Sequence, residues 1–180
     1  MDNDTNDTKR IAMIVHDYFE QSEMEDVRIL LQQAGHDVDL IAPDKEEVHG
    51  LHHVEMGDTF DVDVQLSDAD PEDYDAVVLP GGTVNADQLR VNADALNFVE
   101  SVYNSDKVVA AICHAPWVLV SLGLVEGKTL TSYPTLKDDI QNAGGKWIDQ
   151  DVATDGSIIT SRNPDDIPAF AAAINAQLID

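Results

Sequence analysis

The strongest constraint on this chain is a set of short apolar runs that alternate with segments of helical periodicity. The runs lack the apolar–polar alternation of a half-exposed strand, and they span Ile11 to Val15, Ala76 to Leu79 and Lys107 to Ile112. Strands with continuous apolar sequence are typical of parallel sheets that helices cover on both faces. The sequence therefore predicts an α/β fold with a mainly parallel, doubly wound sheet.

The remaining elements follow from spacing and from turn residues. Apolar residues three and four apart predict helices over 22–34, 93–103, 116–122 and 163–178. Val38 to Ala42 is a further strand, and Asp155-Gly156 is a pair typical of a hairpin turn. The acidic stretch 43–70 has weak periodicity, and we expect a hairpin around Val62 to Leu66.

Length and composition predict one globular domain. The 180 residues include 43% apolar residues, enough for a hydrophobic core, and we expect a flexible leader at 1–9 and one domain over 10–180. No apolar run is long enough to cross a bilayer, and the N-terminus lacks the apolar region of a secretory signal. The single cysteine can form neither an internal disulfide nor a CxxC pair, which fits a reducing compartment. These features predict a cytoplasmic protein.

The net charge excludes two classes of partner. The chain has 35 Asp and Glu residues against 10 Lys and Arg residues, which gives a net charge of -25. Such a surface repels nucleic acids and anionic membranes, so we expect neither as a partner. The acidic residues are spread along the whole chain, as in proteins of salt-loving organisms, where counter-ions screen the repulsion. An ordinary acidic protein of a mesophile is the alternative.

The segment Ala111 to Ala115 carries the candidate nucleophile. Cys113 directly follows a predicted buried strand and precedes a predicted helix, and small residues lie two positions away on both sides. This pattern is typical of a nucleophile elbow, in which a sharp turn raises the reactive side chain above the sheet. The start of the helix should lower the pKa of the thiol. The N–H groups of His114 and, if its strand is adjacent, Gly82 could stabilise an oxyanion. The alternative is that Cys113 is only a small buried apolar side chain.

The positions of the histidines narrow the choice of a candidate base. No histidine follows His114, which excludes the arrangement in which a histidine far downstream serves the elbow. The base is therefore His114, an upstream carboxylate, or both, and Glu25 is the upstream candidate. Ser22-x-x-Glu25 also fits a capping box at the start of the first helix, which would account for Glu25 without catalysis.

Two other motifs argue against bound groups. His49, His52 and His53 lie in an irregular acidic stretch with no second cysteine, so solvated loop histidines are favoured over metal ligands. Pro80-Gly81-Gly82 matches neither a dinucleotide-binding nor a Walker motif. We therefore expect no metal and no cofactor.

Several motifs together resemble the PfpI (ThiJ/PfpI) family, in the class I glutamine amidotransferase-like superfamily. The resemblance extends from Ile11 to the last helix. The matching motifs, in chain order, are Glu25 to Val27, Val78 to Gly82, Ala111 to Pro116, Thr131 to Pro134, Asp138-Asp139, Asn142 to Gly144 and Ser161 to Pro164.

The resemblance implies a flavodoxin-like three-layer sandwich that forms a homodimer or a hexamer of dimers. It implies Cys113 as nucleophile, His114 as its partner and Glu25 as the carboxyl group that contacts the sulfur. It further implies that Gly82 and His114 donate to the oxyanion and that Tyr133 lies in the substrate pocket. An acid from the neighbouring subunit completes the triad of some members; here the nearest match is Asp87, which is shorter than glutamate and displaced by one residue.

Three functional hypotheses are compatible with these residues. The first is a stress or repair enzyme that acts on reactive carbonyls, as a protein deglycase or a glutathione-independent glyoxalase-like enzyme for methylglyoxal and its adducts. Its substrate would be a small carbonyl compound or a glycated protein. The second is an intracellular cysteine peptidase of the PfpI type. The third is a redox-sensing, chaperone-like stress protein in which Cys113 is reversibly oxidised.

The acidic surface predicts that stability depends on salt. Carboxylates that repel one another destabilise the compact state when few counter-ions are present. We expect the melting temperature to fall as salt is lowered from molar to millimolar concentration. A melting temperature that stays constant over this range would contradict the prediction.

Overall fold

Strands and helices alternate along the chain in the computed structural model, which describes residues 7–180. The elements are β1 (Arg10–Ile14), β2 (Phe19–Glu20), α1 (Gln21–Gln33), β3 (Asp37–Ala42), β4 (Glu47–His52), β5 (Glu55–Asp61), β6 (Val64–Gln65), β7 (Ala76–Leu79), α2 (Thr83–Leu89), α3 (Ala93–Asn104), β8 (Val108–Ile112), α4 (Pro116–Ser121), β9 (Thr129–Leu130), α5 (Lys137–Asn142), β10 (Lys146–Trp147), β11 (Ala153–Asp155), β12 (Ile158–Ser161) and α6 (Ile167–Ile179).

Seven strands form the central sheet, in the order β11-β12-β8-β7-β1-β3-β6. All neighbours in this sheet are parallel except β11, which pairs with β12 in an antiparallel hairpin. The predicted α/β fold with a mainly parallel sheet is therefore confirmed. The structure also confirms the strands that were predicted from the three apolar runs.

The apolar runs are continuous because helices cover both faces of the sheet. In β1, Ile11 and Met13 belong to a core that includes residues of α1 and α6. Ala12 and Ile14 belong to a second core, which includes residues of α3 and α4. All four side chains are fully buried, and only Arg10, at the start of the strand, is exposed. The result is the predicted three-layer sandwich.

The strand register brings three chain segments to one edge of the sheet. Leu79 at the end of β7 pairs with Ala111 in β8, and β7 also pairs with β1. In the sheet, β3 lies on one side of β1 and β7 lies on the other, so the strand order reverses at β1. In open α/β sheets, ligands bind at the carboxyl ends of the strands where the strand order reverses in this way. The ends of β1, β7 and β8 therefore mark the expected position of the site.

The structure corrects the prediction for residues 43–70. The hairpin is formed by β4 and β5, which build a separate three-stranded sheet with β2. Residues 62–66 instead contribute β6, a short strand at the edge of the main sheet. No residue of β5 is buried, so the strand has no apolar face that a sequence pattern could reveal. The sequence also did not predict α2, β2, β9 and β10.

The predicted leader is only partly described. Residues 1–6 lie outside the described residues, and β1 begins at Arg10. The N–H of Lys9 donates a hydrogen bond to Nδ1 of the buried His36 at 3.2 Å. None of the helices within residues 7–180 combines the length and the apolar character that crossing a lipid bilayer requires.

Candidate active site

Cys113 lies on a strained turn between β8 and α4. Its φ of 65° is in the left-handed region, which non-glycine residues rarely adopt. Its N–H donates a hydrogen bond to the carbonyl of Ser161 at 3.0 Å, and its carbonyl accepts one from the N–H of Tyr133 at 2.8 Å. These bonds hold the strained residue from two neighbouring segments. Ala111 and Ala115 are fully buried, so the turn has the small neighbours that a nucleophile elbow needs.

A buried carboxyl group lies next to the cysteine. Glu23, in the first turn of α1, is fully buried, and its Oε1 accepts a hydrogen bond from the N–H of Gly81 at 3.0 Å. A Cβ atom at Gly81 would lie 2.4 Å from this oxygen and 2.6 Å from Cβ of Cys113. Only glycine can therefore occupy the space between the carboxyl group and the cysteine. The other oxygen, Oε2, is buried without a hydrogen-bond partner of its own.

The carboxyl group and the thiol each make the ionisation of the other less favourable. Burial raises the pKa of Glu23 to about 8, and the charge of Glu20 adds to this rise, whereas contacts with the Gly81 N–H and the Cys113 side chain oppose it. Burial also raises the pKa of the Cys113 thiol, and an ionised Glu23 raises it further. Two adjacent negative charges are unfavourable in a buried site, so the pair retains at least one proton at neutral pH.

The structure corrects the predicted effect of the helix start on the thiol. Hydrogen bonds from the N–H groups of Gly82 and His114 to Cys113 do lower the thiol pKa, but burial outweighs them. A neutral Glu23 changes this balance, because the repulsion from its carboxylate disappears. After burial, the protonation state of Glu23 therefore has the largest effect on how readily Cys113 ionises.

The prediction that Glu25 contacts the sulfur is wrong. Two residues along a helix correspond to a rotation of about 200°, so Glu23 and Glu25 face opposite sides of α1. Glu25 is half-buried and accepts a hydrogen bond from Nε2 of Gln21 at 3.1 Å. The capping box is also absent, because the N-cap is Glu20, which makes no side-chain capping bond, and Ser22 lies within the helix.

A sequence signal for Glu23 did exist. Val27 and Leu31 are fully buried at spacings of four residues after Glu23, so the three residues share one face of α1. A carboxylate on the apolar face of a helix is unusual, and it is costly unless the group has a partner or a function.

The imidazole of His114 contacts the sulfur. Its Nδ1 lies 3.1 Å from Sγ of Cys113, and its Nε2 lies 3.4 Å from Oγ1 of Thr135. The imidazole stacks on the ring of Tyr133 with 4.7 Å between the ring centroids. Burial lowers the pKa of His114, which favours the neutral imidazole that a base requires.

Gly82 combines an unusual backbone conformation with close packing. Its φ of 97° is in the left-handed region, and a Cβ atom here would lie 2.7 Å from the backbone nitrogen of Glu20. The N–H groups of Gly82 and His114 both donate toward Cys113. This is the arrangement that two oxyanion donors would need, and their catalytic role stays a prediction.

The sulfur faces a cavity of about 940 Å³. Its walls come from the elbow, from the start of α1, from the turn between β4 and β5, and from the segment before α6. The lining residues are Tyr18, Glu20, Ser22, Glu23, Leu51, His52, His53, Val54, Gly82, Thr83, Val84, Cys113, His114, Tyr133, Asn163, Pro164 and Asp165. Besides Glu23, the lining therefore includes the carboxyl groups of Glu20 and Asp165, which the sequence analysis did not identify as site residues.

Asp87 is not part of this cavity. It is exposed on α2, two residues after the buried Asn85, and it is absent from the cavity lining. Its predicted role across a subunit interface stays a prediction.

The three clustered histidines have different environments. The sequence had suggested loop histidines, but His49 and His52 lie in β4. His49 donates its N–H to Oδ1 of Asp17 at 3.1 Å, whereas His52 and His53 line the cavity. Within residues 7–180, no group of three or more His, Cys, Asp and Glu side chains is arranged to hold a metal ion.

Fold and site together define an α/β protein with a cysteine on a nucleophile elbow and a buried carboxyl group beside it. The chain belongs to the DJ-1/PfpI family, whose model matches residues 9–177. It is 35% identical over 158 residues to deglycase PfpI of Pyrococcus furiosus, which covers 85% of this chain and 92% of that protein. It is 37% identical over 166 residues to the putative cysteine protease YraA of Bacillus subtilis, covering 91% and 94% of the two chains. The crystal structure of Drosophila melanogaster DJ-1beta superimposes with a TM-score of 0.87 at 30% identity, covering 95% of this chain and 90% of that chain.

The space at Gly81 generates a testable prediction. In Gly81→Ala, the new methyl group would lie too close to the Glu23 carboxyl group, to the Cys113 side chain and to the backbone oxygen of Ile112, so these groups must shift. We expect a loss of about 1–3 kcal/mol in the free energy of unfolding. We also expect alkylation of Cys113 by iodoacetamide to slow about tenfold, because the reacting groups are misplaced.

Gly123→Ala is the matched control. Gly123 has a φ of 69°, and a Cβ atom there would meet nothing within 4 Å. Alanine should cost about 1–2 kcal/mol through backbone strain alone and should leave the alkylation rate unchanged. Equal alkylation rates in Gly81→Ala and wild type would contradict the packing described here.

Proposed function

We propose that this protein is a cysteine-dependent enzyme that acts on reactive carbonyls, as a protein deglycase or a glyoxalase-like enzyme that needs no glutathione. The observation that carries the proposal is the buried Glu23 carboxyl group, whose pKa of about 8 keeps it largely protonated at neutral pH beside Cys113. An acid in this position can donate a proton to the oxygen of a carbonyl that the sulfur attacks. The similarity to a protein named as a deglycase supports the same conclusion.

The first chemical step joins the sulfur to the aldehyde carbon of methylglyoxal. The C–S bond forms while the carbonyl electron pair moves to oxygen, and Glu23 supplies the proton that makes a hemithioacetal. The N–H groups of Gly82 and His114 are placed to stabilise the oxygen while it is negative. His114, with Nδ1 3.1 Å from the sulfur, takes the thiol proton before attack.

The second step transfers a proton between the two carbon atoms. A base removes the proton of the hemithioacetal carbon while the neighbouring carbonyl oxygen gains a proton, which gives an enediol. The hydroxyl group on the sulfur-bearing carbon then loses its proton as the second carbon gains one, which gives a thioester of lactate. Water then cleaves the thioester and regenerates the thiol. The net reaction is methylglyoxal plus water to lactic acid; an early adduct on an amine plus water gives the free amine and lactic acid. No oxidant or reductant is needed.

A cysteine peptidase is the second candidate, because a relative at 37% identity is named a putative cysteine protease. A peptidase would attack an amide carbonyl through the same sulfur and form an acyl-enzyme. The described chain offers no third acid that contacts His114, whose ring nitrogens lie next to Cys113 and Thr135. A triad would therefore need an acid from another subunit, for which Asp87 is the candidate from the sequence.

The deciding experiment compares wild type with Cys113→Ala on methylglyoxal and on a fluorogenic peptide, both at high salt. We expect wild type to convert methylglyoxal to lactate and Cys113→Ala to lose this activity by about 1,000-fold or more. Unchanged methylglyoxal turnover in Cys113→Ala would refute the proposal. Peptide hydrolysis without methylglyoxal turnover would favour the peptidase, and a chaperone activity that survives Cys113→Ala would favour the third hypothesis.

The two glutamates on α1 provide a matched control for the acid. Both Glu23→Gln and Glu25→Gln remove one carboxyl group from the same helix, but only Glu23 lies beside the sulfur. We expect Glu23→Gln to lower kcat by about 100- to 10,000-fold, the usual contribution of a general acid or base. Glu25→Gln should stay within about twofold of wild type, because Glu25 contacts Gln21 and does not line the cavity. A larger loss of kcat in Glu25→Gln than in Glu23→Gln would instead support the sequence-based choice of Glu25.

A further inference from the structure

We propose that Asn85 is a positioning residue, whose side-chain amide aligns the backbone N–H groups that serve the acid and the nucleophile of the site. The inference rests on the proposed function, because it assigns a role in the same reaction. Asn85 lies on α2 and does not line the cavity, so it would act through the backbone of the loop after β7. The sequence analysis did not identify it.

The first observation is that the Asn85 side chain joins two strand ends while it is fully buried. Its Nδ2 atom donates hydrogen bonds to the carbonyls of Pro80 and Gly81, both at 3.0 Å. Its Oδ1 atom accepts a hydrogen bond from the N–H of His16, which follows β1, at 2.7 Å. These partners fix the orientation of the amide, because a carbonyl only accepts and a backbone N–H only donates. Both amide protons are therefore used on the loop after β7.

The second observation is what lies on the other side of the same two peptide groups. In a trans peptide the carbonyl and the N–H point in opposite directions. The 80–81 peptide group has its carbonyl on Asn85 and its N–H on Oε1 of Glu23, both at 3.0 Å. The 81–82 peptide group also has its carbonyl on Asn85, and its N–H donates toward Cys113. One side chain thus orients the N–H groups that reach the acid and the nucleophile.

The third observation is that this loop has little stiffness of its own. Gly81 and Gly82 are consecutive glycines, and Gly82 has a φ of 97°. Glycine adopts left-handed and right-handed conformations about equally well, so its peptide groups can rotate at little cost. The N–H of Glu20 also donates to the carbonyl of Gly81, at 3.1 Å, and this bond holds the 81–82 peptide group. Asn85 holds both peptide groups at once.

The fourth observation connects the orientation of the loop to the reacting atoms. Burial raises the pKa of Glu23, and the N–H of Gly81 opposes this rise. Burial also raises the pKa of the Cys113 thiol, and the N–H of Gly82 opposes that rise. Hydrogen bonds weaken steeply when they are bent, so rotation of the two peptide groups would remove this support. Without Asn85, the thiol should ionise less readily, and the oxygen that becomes negative during attack should lose a donor.

The test measures how fast iodoacetamide alkylates Cys113, as a function of pH, in wild type and in Asn85→Ala. The rate follows the fraction of thiolate. We expect the rate at pH 8 to fall about tenfold, as when a hydrogen bond to a charged group is lost, and the profile to shift to higher pH. Loss of packing alone would have the opposite effect, because a less buried thiol ionises more readily. Faster alkylation or an unchanged profile would overturn the proposal.

Asn92→Ala is the matched control. Asn92 is the N-cap of α3, and its side chain accepts a hydrogen bond from the N–H of Ala95 at 2.9 Å. Its loss should lower the melting temperature, as the loss of a helix cap does, and leave the alkylation profile as in wild type. An equal shift of the profile in Asn92→Ala and Asn85→Ala would reflect general destabilisation and would overturn the proposal.

Asn85→Asp provides a second test that preserves more of the structure. Aspartate keeps the shape of the side chain and the acceptor for the N–H of His16. It can donate at most one proton, so at least one of the two loop carbonyls loses its donor. We expect slower alkylation here as well. A wild-type profile in Asn85→Asp would overturn the proposal, because shape and the bond to His16 would then be sufficient.

Turnover separates this inference from the proposed function. For methylglyoxal, we expect Asn85→Ala to lower kcat about 10- to 100-fold and to leave KM within about threefold, because the oxyanion donor acts on charge that develops after binding. A loss that appears only as a higher KM would overturn the positioning role. If wild type does not turn over methylglyoxal, the proposed function fails, and the alkylation profiles still decide whether Asn85 aligns the loop.

Discussion

The contact between the buried Glu23 carboxyl group and Cys113 is the interaction on which the site depends. Three separate chain segments create it: the first turn of α1 supplies the carboxyl group, the loop after β7 supplies the glycine between the two side chains, and the end of β8 supplies the sulfur. The parallel register of β1, β7 and β8 brings these segments to one edge of the sheet. The buried acid and the strained cysteine both lower the stability of the fold, and this cost comes with placing the two groups together.

Burial helps the carboxyl group in its chemical role but hinders the thiol in its own. It keeps the carboxyl group protonated, which suits an acid, but it also disfavours the thiolate, which is the nucleophile. The N–H groups of Gly82 and His114 compensate in part for the loss of water around the sulfur. A neutral Glu23 removes its own repulsion of the thiolate, and the weaker repulsion from Glu20 remains. The ionisation of the thiol therefore depends on burial, on these two N–H groups and on the charge of Glu23.

Much of the fold could be predicted because buried parallel strands have no polar positions, and β1, β7 and β8 show this directly. The elbow could be predicted because its small residues and its place between strand and helix are local features. Glu23 was missed because the sequence of the Glu25 to Val27 segment matched a family motif. The buried Val27 and Leu31 lie on the same face of α1 as Glu23, and this spacing favoured Glu23. Glu20 and the hairpin of β4 and β5 could not be found from local patterns. Their positions depend on contacts between residues far apart in sequence, and β5 has no buried face.

The protonation of Glu23 tests the account most directly. Carbon-13 NMR of protein labelled at the glutamate carboxyl carbons can follow this group through a pH titration, with Glu23→Gln identifying its signal. The account predicts that Glu23 remains protonated through pH 6 and titrates near its raised pKa of about 8, because burial disfavours the carboxylate. A signal that titrates near the ordinary glutamate value of about 4.3 would contradict it, since Cys113 would then lie beside a permanent negative charge at neutral pH.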